Sequence, residues 1–408
     1  MSALANNGRL LPFLLLLSGF VAVVAMGAPV PKDGTEPYVK WRIQSDKPSN
    51  EMHDPIVVND AVIVGNDRGE VCAYRAKDGA LLWRHEEDRC RIYYRPSSDG
   101  ERVYFTGVGL VAVSADNGKQ VWRFGSRVVA GVPPVVRGVP GPVLAIAEKG
   151  MVVVASDGGD LCAVEAKTGE LRWKADFLTD APKDPPGFDG NRARLQGTQA
   201  RPTALASDGQ FVFLSVFDQC QVIAFHATTG KRIWSFQAGG WIYGPAAFTT
   251  KNVFIGSQDD CFYCLDKQAG KEVWKFKTKG RIESGAVVDS KAVYFGSCDG
   301  HCYALNQAGG KELWRFETDK HSDGKPSAIY SQPVLRRGIL CFAAGEGQVY
   351  GLAADSGKML WKLRPAEDSE LYCSPASDGV RYFVTSRTSR SDRNERKGEA
   401  SLIAVGLK

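Results

Sequence analysis

The stretch Val293 to Phe316, VYFGSCDGHCYALNQAGGKELWRF, carries a skeleton that recurs along the chain. With the tryptophan as origin, Trp83, Trp122, Trp173, Trp234, Trp274, Trp314 and Trp361 each have a glycine four residues earlier: Gly79, Gly118, Gly169, Gly230, Gly270, Gly310 and Gly357. Ten residues before each tryptophan stands a small side chain: Ala73, Ala112, Ala163, Ala224, Cys264, Ala304 and Gly351. The residue after that one is always apolar: Tyr74, Val113, Val164, Phe225, Leu265, Leu305 and Leu352. Most of the tryptophan spacings lie between 39 and 51 residues, the period of a propeller or solenoid.

Within each unit, β-branched and aromatic runs alternate between Asp, Gly and Asn turns, with no helical spacing to compete, so the unit reads as a four-stranded antiparallel blade. In the quoted unit the spacing predicts strand B at Val293 to Ser297, strand C at His301 to Asn306 and strand D at Lys311 to Phe316. The repeated glycine suits a tight C-to-D hairpin that needs positive φ. The tryptophan is expected to pack on a neighbouring blade.

Trp41, in YVKWRI, lacks the upstream glycine and hairpin, whereas Arg381 to Ser386 and Ala400 to Val405 read as strands B and C that stop before any tryptophan. Pairing the first strand with the last three closes the ring and leaves no open edge. The expected fold is therefore an all-β, eight-bladed propeller over residues 38–408. It assigns eight of the nine tryptophans and leaves Trp241 over.

Residues 1–28 combine a polar start with Arg9, an apolar run and Ala25-Met26-Gly27-Ala28, a small-x-small ending. They read as a secretory signal peptide, with an uncleaved N-terminal anchor as the alternative, followed by a Pro/Gly linker over 29–37. The chain is thus expected to be exported, periplasmic or extracellular, with no membrane span after signal removal. The net charge of +5 over 408 residues is modest and interspersed, which gives no footprint for nucleic acid.

The segments AKTGELRW (Ala166 to Trp173) and ATTGKRIW (Ala227 to Trp234) resemble the pyrroloquinoline-quinone-type propeller repeat, over nearly the whole mature chain. Lys267 and Gln307 depart from its usual alanine seven residues before tryptophan. The resemblance implies one of two kinds of protein: calcium-containing quinone dehydrogenases, or cofactor-free scaffolds such as the outer-membrane assembly subgroup. The chain is more similar to the second, being shorter than the quinone enzymes and lacking their vicinal cysteine pair. Fold alone does not choose between them.

The ten cysteines are expected to be mainly small buried residues, with Cys261 and Cys298 on adjoining B-to-C turns as one candidate disulfide. The five histidines are scattered over different units, and Asp392-x-Asn394 lacks the glycine and closing glutamate of a calcium loop. No catalytic, cofactor or metal residue is assigned. Residues just before the expected A strands, which start around Pro55, Pro96, Pro134, Pro202, Pro245, Gly285, Pro333 and Pro375, should ring the channel mouth. They include His53, Asp54, Tyr94, Arg95, Arg201, Tyr243, Glu283, Ser331, Gln332, Cys373 and Ser374. Tyr-Arg and Trp-x-Tyr clusters there could hold an anionic or planar ligand.

The insertions Ala175 to Gly197, Glu317 to Ala328 and Arg387 to Glu399 fall on D-to-A and B-to-C connections, which share one face of an up-and-down blade. That looped face, with Trp241 beside Tyr243 as a partner anchor or a core cap, is the expected docking surface for a protein or cell-envelope component. The reading is a non-catalytic binding or scaffold module. The alternative is an oxidoreductase holding pyrroloquinoline quinone and calcium in the channel, with Arg95, Arg201 and Glu283 as contacts. A third possibility is carbohydrate binding through Trp241 and Tyr243.

Overall fold

The computed structural model describes residues 36–44, 51–88, 90–125, 136–179, 201–320, 324–366, 369–388 and 400–408. The expected signal peptide, the linker up to residue 35 and most of the insertions at 175–197 and 387–399 lie outside them, as do residues 321–323 of the insertion at 317–328. Within them the chain forms eight antiparallel sheets. Blades 1 to 7 follow chain order and hold Trp83, Trp122, Trp173, Trp234, Trp274, Trp314 and Trp361 on their outermost strands. Blade 8 is composite: Pro37–Gln44 pairs with Ala400–Leu407, which pairs with Tyr382–Thr388. The predicted closure holds, and Ser369–Glu370 adds a fifth strand beside Tyr382–Thr388 that the repeat did not announce.

In blade 6 the strands are Ala292–Gly296, His301–Asn306 and Glu312–Glu317, within a residue of expectation. Strand A of blade 3 is Pro140–Ile146, later than the expected start at Pro134, which lies outside the described residues.

The apolar interior is divided among the junctions. Each of the eight buried clusters joins two neighbouring blades, as when Phe262 of blade 5 stacks on Phe295 of blade 6 at 3.9 Å. Burial falls on strands B and C and declines on strand D, whose pattern in blade 5 is largely exposed.

The tryptophan column builds these junctions. The indole N–H of Trp83 donates to the Ala115 carbonyl of blade 2 at 2.8 Å, and Trp122, Trp173, Trp234, Trp274, Trp314 and Trp41 repeat that bond into their own next blade. The acceptor is a backbone carbonyl, so Lys267 and Gln307 serve as well as alanine. The glycine column meets the same rings. Gly310 has φ +67°, and a Cβ there would lie 2.6 Å from Trp274 of the preceding blade. The glycine therefore answers two demands, a left-handed turn and a flat seat for an indole.

Trp361 departs from this pattern. Blade 8 has no C-to-D hairpin to receive it, and among the described residues its buried Nε1 has no hydrogen-bond partner. The ring leans over its own strand C, where a Cβ on Gly351 would sit 2.0 Å from the indole Cε2, while still meeting Tyr382 of blade 8 with ring centroids 5.6 Å apart. Gly351 replaces the usual alanine where that indole takes up the methyl volume.

Backbone bonds define the two faces. C-to-D turns bond to A-to-B turns, as Ala76 N–H does to Asp60 and Ala166 N–H to Gly150. D-to-A connections bond to B-to-C turns, as when Gln258 N–H donates to Trp241 and Cys298 N–H to Arg281. The second set forms the looped face, on the predicted side.

Candidate functional site

Each D-to-A connection that is well described carries an apolar residue that plugs the gap between blades. Met52, Ile92, Ile242, Ile282, Ile329 and Leu371 are all buried. Ile282 and Ile329 sit so close to Gly256 and Gly296 that a Cβ on either glycine would lie 2.2 Å from the isoleucine Cγ2. The plug fixes the residue after it, which is His53, Tyr93, Tyr243, Glu283, Tyr330 and Tyr372 in turn. Tyr93, Tyr243 and Tyr372 are 52%, 37% and 39% exposed. An interrupted crown of phenols thus stands on the looped face.

Inside the crown, the predicted rim residues tie neighbouring blades together. Gln332 N–H donates to Ser374 Oγ at 3.1 Å, and Ser374 N–H donates to Asp54 Oδ1 at 2.8 Å. The Gln332 amide also donates to the Ala286 carbonyl at 2.9 Å. Ser331 Oγ donates to the Ala343 carbonyl at 2.8 Å and accepts the Ala343 N–H, which makes it a strand clasp rather than a ligand group. Gly244 and Gly285 bring two backbones together, since a Cβ on Gly244 would lie 2.5 Å from Gly285 N.

The titratable rim residues fall into separate groups. Burial draws the Arg95 guanidinium below its ordinary value, and the Asp54 charge opposes that shift. Burial likewise lowers His53, against Glu51, Asp54 and Asp67; its buried Nε2 has no partner among the described residues, and its ring meets Tyr93 edge-on. Tyr94 donates to the Pro202 carbonyl at 3.3 Å; burial and then Asp157 push its phenol up, and Arg201 pulls it down. Glu283 accepts the Gln258 amide at 2.6 Å. The described contacts of Arg95, Arg201 and Glu283 therefore lie in three separate groups. No cluster of three or more His, Cys, Asp or Glu side chains able to hold a metal occurs among the described residues.

Trp241 resolves into an aromatic trio. Phe217, on the B-to-C turn of blade 4, meets the Trp241 ring at 4.4 Å and the Tyr243 ring edge-on at 4.6 Å. Beside it, Arg201 N–H donates to Asp218 Oδ1 at 2.9 Å. A second group joins Tyr330 to Tyr372, with ring centroids 5.3 Å apart, and Arg387 lies over the Tyr372 ring at 4.5 Å. Arg387 is held by Glu51 and Glu370 at 2.9 and 3.1 Å.

The sequence reading missed Tyr93, Tyr330 and Tyr372. Their distances from the preceding tryptophan vary, 10 residues for Tyr93 after Trp83 and 16 for Tyr330 after Trp314, so no column emerges from that origin. The signal that finds them is the buried Ile or Leu a few residues before each A strand. Cys261 and Cys298 are free thiols, which corrects the candidate disulfide; burial and then Glu283 push Cys298 up to about 12. Cys72, Cys162 and Cys264 are buried as expected.

The family model PQQ_2, described as outer membrane protein assembly factor BamB, matches residues 31–109, 107–218, 218–371 and 299–395. The chain is 29% identical over 137 residues to the outer membrane protein assembly factor BamB of Burkholderia pseudomallei, covering 33% of this chain and 32% of that protein. The protein of the same name from Yersinia pestis is 24% identical over 180 residues, covering 40% and 42%. The chain thus spans a third to two fifths of the length of these two relatives. Among solved structures, BamB from Moraxella catarrhalis aligns at TM-score 0.60 and 16% identity over 90% of this chain and 97% of that one. Quinohemoprotein alcohol dehydrogenase ADHIIG from Pseudomonas putida HK5 aligns at 0.65 and 15%, over 92% and 77%. At these identities the structures agree on the fold and not on a function.

Proposed function

This chain belongs to the PQQ_2 family, described as outer membrane protein assembly factor BamB, and from that premise we propose that it is an exported, non-catalytic scaffold for outer-membrane protein assembly. Its looped face is the docking surface for a protein partner of the envelope. The observation that carries this reading is the asymmetry of the faces. The looped face holds exposed tyrosines at one repeat position, on buried plugs that pin them to the ring, while the opposite face consists mainly of hairpin turns bonded to one another. Rigid aromatic side chains with a polar tip give large contact area at small entropic cost, as at protein interfaces.

The test compares capture of envelope proteins by the full chain, by a Tyr93→Ser/Tyr243→Ser/Tyr372→Ser variant and by a chain lacking residues 180–197. Both variants are expected to lose capture while keeping the unfolding midpoint of the parent. Undiminished capture by both would overturn the assignment of the face. The quinone reading is tested by incubation with pyrroloquinoline quinone and calcium: the scaffold reading expects no bound chromophore and no dye reduction.

A further inference from the structure

The outermost strand of each blade carries a cation directly after its tryptophan, at Arg84, Arg123, Lys174, Lys275, Arg315, Lys362 and Arg42, with Ser235 the exception. Five of these meet an acid. Arg84 meets Glu70 at 3.8 Å and Lys174 meets Asp160 at 2.8 Å, both acids standing at the start of strand C. Arg123 and Lys362 meet Glu87 and Asp319, at 2.7 and 2.8 Å, which follow strand D of the preceding blade. Arg315 meets Glu312 of its own strand at 3.6 Å, and Arg42 bonds the Pro365 carbonyl. Lys275 of blade 5 has none of these partners. Its strand C starts with Cys261, and strand D of blade 4 is followed by Ala238 and Gly239. Glu272 stands where Glu312 does, but makes no ion pair among the described residues.

Two more lysines extend the exception. Lys277 and Lys279 stand two and four residues further on, and all three are exposed, with no ion pair among the described residues. Lys275 and Lys277 lie opposite Tyr263 and Cys261 in register, and Tyr263 meets Phe236 of blade 4 edge-on at 5.1 Å, so both lysines share the sheet face toward blade 4. Phe276 between them faces blade 6, where it meets Tyr303 at 5.6 Å. Blade 7 comes nearest to this pattern with Lys362 and Arg364, yet there Asp319 holds the lysine. The strand that carries Lys275 and Lys277, Glu272–Lys277, ends its sheet, so one of its edges is open.

Uncompensated ammonium groups at strand period beside an open edge call for an occupant that is extended, negatively charged at every second residue and able to pair through its backbone. An acidic strand supplies all three. Alternate residues on a strand lie about 6.7 Å apart, so carboxylates on one face of such a segment match the spacing of the lysines, and its main chain can add to the sheet. Lysine on an edge strand deters pairing with a neutral or basic neighbour, and the same charge favours an acidic one. We propose that the outer strand of blade 5 docks an extended acidic segment of a protein partner, with Lys275, Lys277 and Lys279 meeting its carboxylates. The site lies on the outer wall of the ring, apart from the looped face, and does not rest on the scaffold reading.

The probe is a fluorophore-labelled peptide, acetyl-Thr-Glu-Thr-Glu-Thr-Glu-Thr-amide, titrated into the full chain with anisotropy as the readout. Its companions are the glutamine-for-glutamate peptide, a peptide of the same composition with the three glutamates in one block, and a fully N-methylated version without amide donors. Saturable binding of the alternating acidic peptide alone is expected, weakening as salt rises. Lys275→Gln/Lys277→Gln, at two exposed positions, should weaken it about tenfold through the loss of two surface pairs and keep the unfolding midpoint of the parent. Arg315→Gln, at the matching position of blade 6, should leave binding unchanged, as should the triple tyrosine variant of the looped face. No binding, equal binding of the neutral, blocked or N-methylated peptide, or an equal loss in the Arg315→Gln chain would overturn the site. Capture of phosphatidylglycerol vesicles that the lysine variant loses, with the peptide ignored, would overturn it in favour of a lipid surface.

Discussion

Seven of the ring's junctions and its eighth are built from the same residue and differ in what that residue meets. From Trp41 through Trp314, each indole lies on the hairpin glycine of the next blade and gives its N–H to a carbonyl there. At the seam between blades 7 and 8 the hairpin is replaced by two strands distant in sequence, Ala400–Leu407 and Pro37–Gln44, and Trp361 leans over Gly351 with its N–H unanswered among the described residues. The tryptophan column therefore has two separable roles. Filling the space between sheets occurs at all eight positions; latching to the next blade needs an intact C-to-D turn.

The comparison is broken most directly by truncation. Trp122→Ala, at a regular junction, should destabilise the ring by about 3–5 kcal/mol from lost burial. Trp361→Ala should cost about 1 kcal/mol less, the net worth of a hydrogen bond it does not make. Denaturant unfolding of both variants measures the difference, and equal losses would erase the distinction.

Gly351→Ala is the next largest. The added methyl meets the Trp361 indole and should cost about 1–3 kcal/mol as overpacking, whereas Cys264→Ala in the same column of blade 5 should be close to neutral. The two melting curves decide it.

A smaller, pH-dependent effect separates the junction of blades 1 and 2 from its siblings, because it adds a charged clasp. His85 bonds Glu87 at 2.9 Å and the Gly118 carbonyl at 3.2 Å, and Arg123 of blade 2 bonds Glu87 at 2.7 Å. Burial alone would raise the Glu87 carboxyl, but the bonds from His85 and Arg123 outweigh it and bring it from 4.5 down to about 2. A carboxyl depressed in the folded state contributes its stability above the unfolded value and loses it as pH falls through the folded one. Stability should therefore decline between about pH 4.5 and 2, and Glu87→Gln should flatten that slope.

The smallest effect is spectroscopic. The Trp361 indole proton should resonate upfield of those of the seven bonded tryptophans, as a proton without an acceptor does.

The repeat, the blade, the closure and the looped face were all legible from the tryptophan origin, because strands B, C and D keep constant spacing from it. What varies in length was not legible. The phenol crown hangs from D-to-A connections of unequal length, so Tyr330 and Tyr372 share a role without sharing an offset. Trp361 conformed in sequence and deviated in space, since its glycine and small residue are both present and only its receiving hairpin is missing.

The pairing of Pro37 with Leu407 also sets a schedule. These partners are 407 − 37 = 370 residues apart, so Pro37–Gln44 has no partner strand until Ala400–Leu407 has been made. Loop closure grows only logarithmically with length, about 0.6 kcal/mol per doubling, so the delay costs little at equilibrium. It is costly in time, because contacts of such long range slow folding and leave a strand edge waiting. A nascent chain holding seven finished blades remains an open ring, and only the pairing of Ala400–Leu407 with both Pro37–Gln44 and Tyr382–Thr388 turns an arc into a circle.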